Sequence, residues 1–212
     1  MRVLVFGDSI TQGFWDPSGG WVNHLWEHYV NLELKNRTHY EQPTIFNLGI
    51  SGDDTNKILE RFDNETSARV WPNGEFTFLF ATGMNDARLD NGQLNSSPGE
   101  YRTRLKVLIQ KATHFSDKIM FVGFNSCEEN LTTPVPWAPN VSYKNEEILK
   151  FEKALQEVAA KQGVLYVPVF SKFQQKLSEG KKLLADGLHP NDKGHELIFQ
   201  LVQPELDKLL SA

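Results

Sequence analysis

A serine near the start of the chain and an acid–histidine pair near its end have the chemistry of a catalytic triad. Ser9 stands in Gly7-Asp8-Ser9-Ile10, directly after the apolar run 3–6, and Asp186 precedes His189 by three residues. A serine hydroxyl becomes a nucleophile when a histidine takes its proton and an acid orients the histidine. The Gly-Asp-Ser sequence alone is weak evidence, because it also occurs in ordinary turns. The combination predicts ester cleavage, with Ser9 as nucleophile, His189 as base and Asp186 as the orienting acid.

The elements that must bring these residues together follow from the apolar pattern. Five short runs rich in β-branched or aromatic residues predict strands over residues 3–6, 44–48, 76–81, 118–124 and 164–169. Helical spacing of apolar residues separates the runs, and Asn191 after Pro190 predicts the cap of a final helix. Strands that alternate with helices pair in parallel through right-handed crossovers. We therefore expect a single domain over residues 1–212, a three-layer α/β/α sandwich.

Parallel strands end at one edge of the sheet, so residues just beyond each strand converge on one crevice. The segments after the second and third strands carry Gly49 and Asn85. An acyl-transfer site needs donors for the developing oxyanion. The backbone N–H groups of Ser9 and Gly49 and the side-chain amide of Asn85 are the predicted donors. Further residues expected near the crevice, as contacts to substrate, are Asp8, Trp15 and Trp137.

Four blocks of the chain resemble those of the SGNH (GDSL-type) hydrolases, a family of esterases, lipases, thioesterases and carbohydrate deacetylases. They are Gly7-Asp8-Ser9-Ile10, with Ile where the family name has Leu, Gly49 in Asn47-Leu48-Gly49-Ile50-Ser51-Gly52, Gly83-Met84-Asn85-Asp86, and Asp186-Gly187-Leu188-His189-Pro190. The resemblance implies a flavodoxin-like sheet with strand order 2-1-3-4-5 and no metal or organic cofactor. The Gly-x-Ser-x-Gly elbow of the α/β-hydrolases is absent from the sequence, which argues against that other class of serine hydrolase.

Composition limits the partners of the chain. The net charge of −5 over 212 residues argues against a nucleic-acid backbone as the main ligand. Cys127 is the only cysteine in the sequence, so neither an internal disulfide nor a cysteine-built zinc site is expected. No run approaches the roughly 20 apolar residues that span a bilayer. A first strand that begins at residue 2 leaves no room for a signal peptide, which predicts a cytoplasmic location and leaves secretion open. The sequence does not indicate an oligomeric state.

A second motif offers a different chemistry. His24 and His28 fit the His-x-x-Glu-His pattern of one class of zinc peptidase, and two histidines four residues apart share a helix face. The predicted buried face of that helix is Trp21, Val22, Leu25, Trp26 and Tyr29, so both histidines are expected on solvated surface. His195, six residues after His189, is the alternative base, but it falls inside the final helix pattern.

The substrate is left open by the sequence. A small or short-chain acyl ester is the first expectation, with a carbohydrate acetyl ester as one candidate, and a thioester or a lysophospholipid is the second. Residues 125–140, rich in proline, predict an irregular loop that is either a lid over the crevice or a surface excursion. A non-catalytic binding module is the remaining alternative, although binding alone does not require a nucleophile, a base, an acid and oxyanion donors together.

Overall fold

The computed structural model describes residues 1–38 and 41–211. In chain order the elements are β1 (Arg2–Gly7), α1 (Ser9–Gln12), α2 (Gly20–Asn36), β2 (Thr44–Gly49), α3 (Thr55–Ser67), β3 (Phe76–Ala81), β4 (Leu89–Asp90), β5 (Gln93–Leu94), α4 (Pro98–Thr113), β6 (Ile119–Val122), α5 (Glu129–Thr132), β7 (Val141–Ser142), α6 (Asn145–Gln162), β8 (Leu165–Val167), α7 (Phe170–Ser178) and α8 (Asp192–Ser211). Within this part of the chain, no helix is long and apolar enough to cross a membrane.

A five-stranded parallel sheet organises the fold, with the order β2-β1-β3-β6-β8. This confirms the predicted order 2-1-3-4-5 and the α/β/α architecture. The last two strands are shorter than the predicted 118–124 and 164–169. The shortening of β6 has a local cause, because the Phe124 N–H donates to the Glu152 carboxylate of α6 rather than to a neighbouring strand.

Helices cover the sheet because both of its faces are apolar. Every residue of β1 after Arg2 is buried, as is all of β6, which fits a parallel sheet packed on both sides. Helices α2 and α8 pack against each other, while α3 lies beside α4 and α4 beside α6. Under α3 the core is a layer of phenylalanines, in which the Phe62 ring lies 5.3 Å from Phe6 and 5.5 Å from Phe78.

The structure also contains a small antiparallel sheet, of order β5-β4-β7, that the apolar pattern did not predict. Its three strands have two residues each, which is too short for a periodic signal. Residues 125–140 lead into this sheet and include the short helix α5, so the prediction of an irregular loop was wrong in part. The Glu128 N–H donates to the Gly187 carbonyl, which fastens this segment to the residues just before His189.

The exposed side of α2 differs from the prediction. Trp26 was expected in the core but is 45% exposed, because the buried stripe of α2 consists of Trp21, Val22, Leu25 and Tyr29. His24 and His28 were expected on solvated surface. Both are instead half-buried, with their rings 5.9 and 6.0 Å from Phe199 of α8. The packing of α8 along α2 covers the row that the sequence pattern indicated as exposed.

We expect the phenylalanine layer to dominate the stability of this fold. Phe62→Ala removes a fully buried ring whose centroid lies within 6.3 Å of four other phenylalanine rings. The free energy of unfolding should fall by about 3–5 kcal/mol, as measured by urea denaturation. Leu34→Ala is the matched control, since Leu34 is 71% exposed and its truncation should change stability by less than about 0.5 kcal/mol. Equal effects of the two substitutions would contradict this account of the core.

Candidate active site

Ser9, His189 and Asp186 form one hydrogen-bonded row at the carboxyl edge of the main sheet. Ser9 is the first residue of α1, directly after β1, and Asp186 and His189 lie in the segment before α8. The Ser9 Oγ is 3.0 Å from His189 Nε2, and His189 Nδ1 is 2.7 Å from Asp186 Oδ2. The fold thus joins side chains that are 180 residues apart in sequence.

The Asp186 carboxylate is saturated with hydrogen bonds. Its Oδ1 accepts the backbone N–H groups of Leu188 and His189, at 3.0 and 2.8 Å, and its Oδ2 accepts Trp15 Nε1 at 2.8 Å as well as His189 Nδ1. Partial burial acts to raise the pKa of Asp186, but the hydrogen bonds and charge of His189 outweigh it and lower the pKa to about 2. An ionised Asp186 holds the proton on His189 Nδ1, so Nε2 is free to accept the Ser9 proton.

The cavity at Ser9 contains three N–H groups that are not used in hydrogen bonds within the described residues. Within the described residues, the backbone N–H groups of Ser9 and Gly52 have no hydrogen-bond partner. The Asn85 side chain is fixed from both ends, because Nδ2 donates to the Asp53 carbonyl at 2.9 Å and Oδ1 accepts the Tyr143 hydroxyl at 2.8 Å. One N–H of the Asn85 amide remains for a ligand. This arrangement can stabilise an oxyanion next to the serine.

Gly49, which the sequence predicted as a donor, does not line this cavity. Its N–H donates to Asn47 Oδ1 at 3.0 Å, and a Cβ at Gly49 would lie 2.3 Å from the Gln12 backbone nitrogen. The missing side chain therefore lets the end of β2 approach α1. Gly52 takes the predicted place. It lines the cavity at a φ of +80°, which favours glycine, and only the turn after β2 decides which of the two glycines faces the serine.

Asp8 also lies elsewhere than predicted. Its side chain is buried and accepts the Ile10 N–H at 2.9 Å, so it caps α1. Asp8 borders a separate small cavity with Met84, Phe124 and Asn125. Burial raises the pKa of Asp8 to about 6. Asp8 thus helps to build the turn that presents Ser9 and is absent from the wall of the substrate-sized cavity.

The cavity at Ser9 has a volume of about 380 Å³. Trp15 and Trp137 line it, as the sequence predicted, and they are 58% and 52% exposed. Sequence reasoning did not assign several lining residues, of which some lie in or beside the small sheet and the others in the turns after α1 and β2 and before α8. These are Phe14, Ser51, Gly52, Arg88, Ala138, Val141, Tyr143 and Leu188.

His195 and His24 have structural partners. His195 is fully buried; its Nδ1 is 3.3 Å from the Trp21 N–H and its Nε2 is 2.8 Å from the Phe14 carbonyl, so both ring nitrogens are engaged by backbone groups. Burial lowers the pKa of His195. His24 Nε2 lies 3.0 Å from the Asp16 carboxylate. Over residues 1–38 and 41–211, no group of three or more His, Cys, Asp or Glu side chains could hold a metal ion.

Comparison with known proteins bears directly on this geometry. The family model described as GDSL-like Lipase/Acylhydrolase matches residues 5–197. The chain belongs to this family. Among curated proteins, this GDSL-family chain is similar to the isoamyl acetate-hydrolyzing esterase 1 homologs of Rattus norvegicus and Homo sapiens. It is 28% and 26% identical to them, over 100% of this chain and 83% of each relative.

Solved structures share the fold of this GDSL-family chain. A lipase/acylhydrolase from Enterococcus faecalis superposes with a TM-score of 0.75 at 24% identity, over 97% of this chain and 94% of that one. The acetylxylan esterase Axe2 from Geobacillus stearothermophilus gives a TM-score of 0.70 at 19% identity, over 96% and 93%. At these identities the likeness concerns the fold alone.

Arg61 of α3 joins the backbone segments that surround the donors. Its Nε contacts the Asp53 carboxylate at 2.8 Å, and its Nη2 donates to the Leu48 carbonyl at 2.7 Å and to the Gly7 carbonyl at 3.3 Å. The Asp53 carbonyl in turn accepts the Asn85 amide. One guanidinium group therefore links the ends of β1 and β2 to the turn that holds Asn85.

We expect Asp8 to make stability depend on pH. Its folded pKa is about 6 against an ordinary value of 3.8, so the neutral carboxyl is favoured in the folded state. That contribution is complete below about pH 4 and is lost as the pH rises through 6. Asp8→Asn keeps the cap without the titration, and the decline of unfolding free energy between pH 4 and 7 should shrink by roughly 3 kcal/mol. Urea denaturation at several pH values measures this.

The control for this titration is Asp63→Asn, which removes a carboxylate that is 61% exposed. An unchanged pH profile in the Asp8 variant, or the same change in both variants, would show that Asp8 does not carry the effect.

Proposed function

We propose that this protein is a serine ester hydrolase that works through an acyl-enzyme on small or short-chain acyl esters. The observation that carries the proposal is the pair of hydrogen bonds that joins Ser9 to His189 and His189 to Asp186. N–H groups without a hydrogen-bond partner lie beside them in the same cavity. Family membership supports an acyl-transfer reaction of this kind. A site for binding alone has no need of a base hydrogen-bonded to a serine hydroxyl.

Each part of the geometry has a step in this mechanism. The Ser9 Oγ attacks the ester carbonyl while His189 Nε2 takes its proton. The ionised Asp186 stabilises the imidazolium that forms. The oxyanion of the tetrahedral intermediate is held by the N–H groups of Ser9, Gly52 and Asn85. His189 then protonates the leaving alcohol, and water activated by the same nitrogen releases the acid from Ser9.

The size of the cavity and the relatives together favour a small substrate. About 380 Å³ lies at the lower end of the range for ligand cavities, which suits a short acyl group and a small alcohol better than a long acyl chain. The curated relatives are named for hydrolysis of isoamyl acetate, a short ester. A structural neighbour is an acetylxylan esterase, and the exposed rings of Trp15 and Trp137 suit a sugar ring, so a carbohydrate acetyl ester is included in the proposal.

Ser9→Ala should abolish turnover of 4-nitrophenyl acetate, with kcat reduced at least roughly a thousandfold, because no other group is placed to attack the carbonyl. The variant should keep the circular dichroism spectrum and the Tm of the wild type. Ser51→Ala is the matched control, as a second serine that lines the cavity without a histidine partner. Wild-type activity in the Ser9 variant would overturn the proposal, and loss of wild-type activity on chelation would point to metal chemistry instead.

Asn85→Ala should lower kcat by roughly a hundredfold or more, since it removes one oxyanion donor. Tyr143→Phe tests how Asn85 is held. It removes the hydrogen bond to Asn85 Oδ1, and kcat should fall about fivefold to tenfold with little change in KM. Steady-state kinetics on one short ester give both values. An unchanged kcat in the Asn85 variant would remove this amide from the oxyanion site.

A further inference from the structure

Arg88 brings a positive charge to the cavity at Ser9. It is the one lysine or arginine in the described lining of this cavity, and its side chain is 28% exposed. Arg88 directly precedes β4, the central strand of the small antiparallel sheet. The chain as a whole carries a net charge of −5, and the carboxylates that act on Arg88 are those of Asp90, with which it pairs, and Asp54.

The guanidinium group keeps donors for a ligand. Nε and Nη2 of Arg88 both contact one oxygen of Asp90, at 3.1 and 2.8 Å. The Tyr143 side chain is a further hydrogen-bond partner of Arg88. A guanidinium has five N–H groups, so these contacts leave about two of them without a partner in the described residues. Asp90 also fixes the side chain in one direction, which reduces the entropy lost when a ligand binds.

The other ionised side chain of the lining has no such capacity. Asp186 already receives four hydrogen bonds, and its charge is directed to His189. Arg88 is therefore the charged group of the cavity with hydrogen-bonding capacity to spare. An arginine with free N–H groups preferentially binds carboxylate or phosphate oxygens.

The wall that carries Arg88 also reaches the base. Asp90 pairs with Val141 across β4 and β7, and Val141 and Trp137 line the same cavity. The Trp137 ring lies 5.6 Å from the ring of His189. His189 protonates the leaving alcohol in the proposed mechanism, and of the three aromatic rings beside it Trp137 is the nearest, so the proposal places the alcohol part of the ester along this wall.

We propose that Arg88 binds an oxyanion group, a carboxylate or a phosphate, on the alcohol part of the ester substrate. This inference rests on the proposed ester hydrolysis and narrows it to esters of anionic alcohols. Arg88 is then a specificity-determining residue: it raises kcat/KM for anionic esters and contributes little to hydrolysis of neutral ones.

The test uses two esters of the same shape, 4-acetoxybenzoate, which carries a carboxylate, and the neutral 4-acetoxybenzamide. The quantity compared is kcat/KM for the anionic ester divided by kcat/KM for the neutral ester, in the wild type and in Arg88→Gln. The substitution should lower the ratio about tenfold, through loss of kcat/KM on the anionic ester, while the neutral ester changes less than about twofold. Arg88→Lys keeps the positive charge but lacks the two parallel N–H donors of the guanidinium, and its ratio should lie between those of the wild type and Arg88→Gln.

Arg102→Gln is the matched control, because Arg102 also pairs with one carboxylate oxygen, that of Glu157, at a site away from the cavity. Its ratio should equal that of the wild type. Hydrolysis of both esters with the same ratio in wild type and Arg88→Gln would overturn the role of Arg88 and leave ester hydrolysis standing. Failure of the wild type to hydrolyse either ester would count against the proposed function itself.

Discussion

The Asp186 carboxylate is the group on which the geometry of the site depends. Two of its hydrogen bonds come from the backbone just after it and shape the turn that carries His189. A third orients the imidazole, and the fourth comes from Trp15, whose exposed ring lines the cavity. One charge therefore fixes the base and part of the cavity rim together. Partial burial makes this charge costly, and four donors offset that cost.

Arg61 has the corresponding role on the other side of Ser9. It binds carbonyl groups at the ends of β1 and β2 and the side chain of Asp53. The N–H groups that we propose to hold an oxyanion are mostly backbone groups, so their positions depend on how the strand ends are held. A cation that takes up backbone carbonyls at two neighbouring strand ends holds them without occupying the cavity.

The sequence was sufficient to predict the main sheet and the three residues of the row, for a physical reason. Buried parallel strands are continuous apolar runs, and polar residues just after them must meet at one edge. Gly49 and Gly52 could not be distinguished in this way. They lie three residues apart in one turn, and only the path of that turn decides which N–H is left without a partner.

Other residues were missed because their signal is tertiary. Arg88 and Tyr143 flank two-residue strands, whose pairing has no periodic pattern in the sequence. Asp8 is polar and adjacent to Ser9, which favoured a place in the cavity, but its carboxylate turns inward to cap α1. The burial of the two histidines of α2 depends on how α8 packs beside them, and a hydrophobic pattern on one helix does not contain that packing.

The two sheets contribute different parts of the cavity at Ser9. Ser9, Gly52 and Asn85 follow strands of the large parallel sheet, while much of the remaining cavity lining comes from three two-residue strands and the turns beside them. Only four residue pairs join these strands in the described part of the chain, whereas β1 alone is paired along its whole length on both sides. Substitutions at the exposed positions of this small sheet therefore leave the pairing of the main sheet intact. A lineage with this architecture can change its preferred ester through such substitutions while its reaction stays the same.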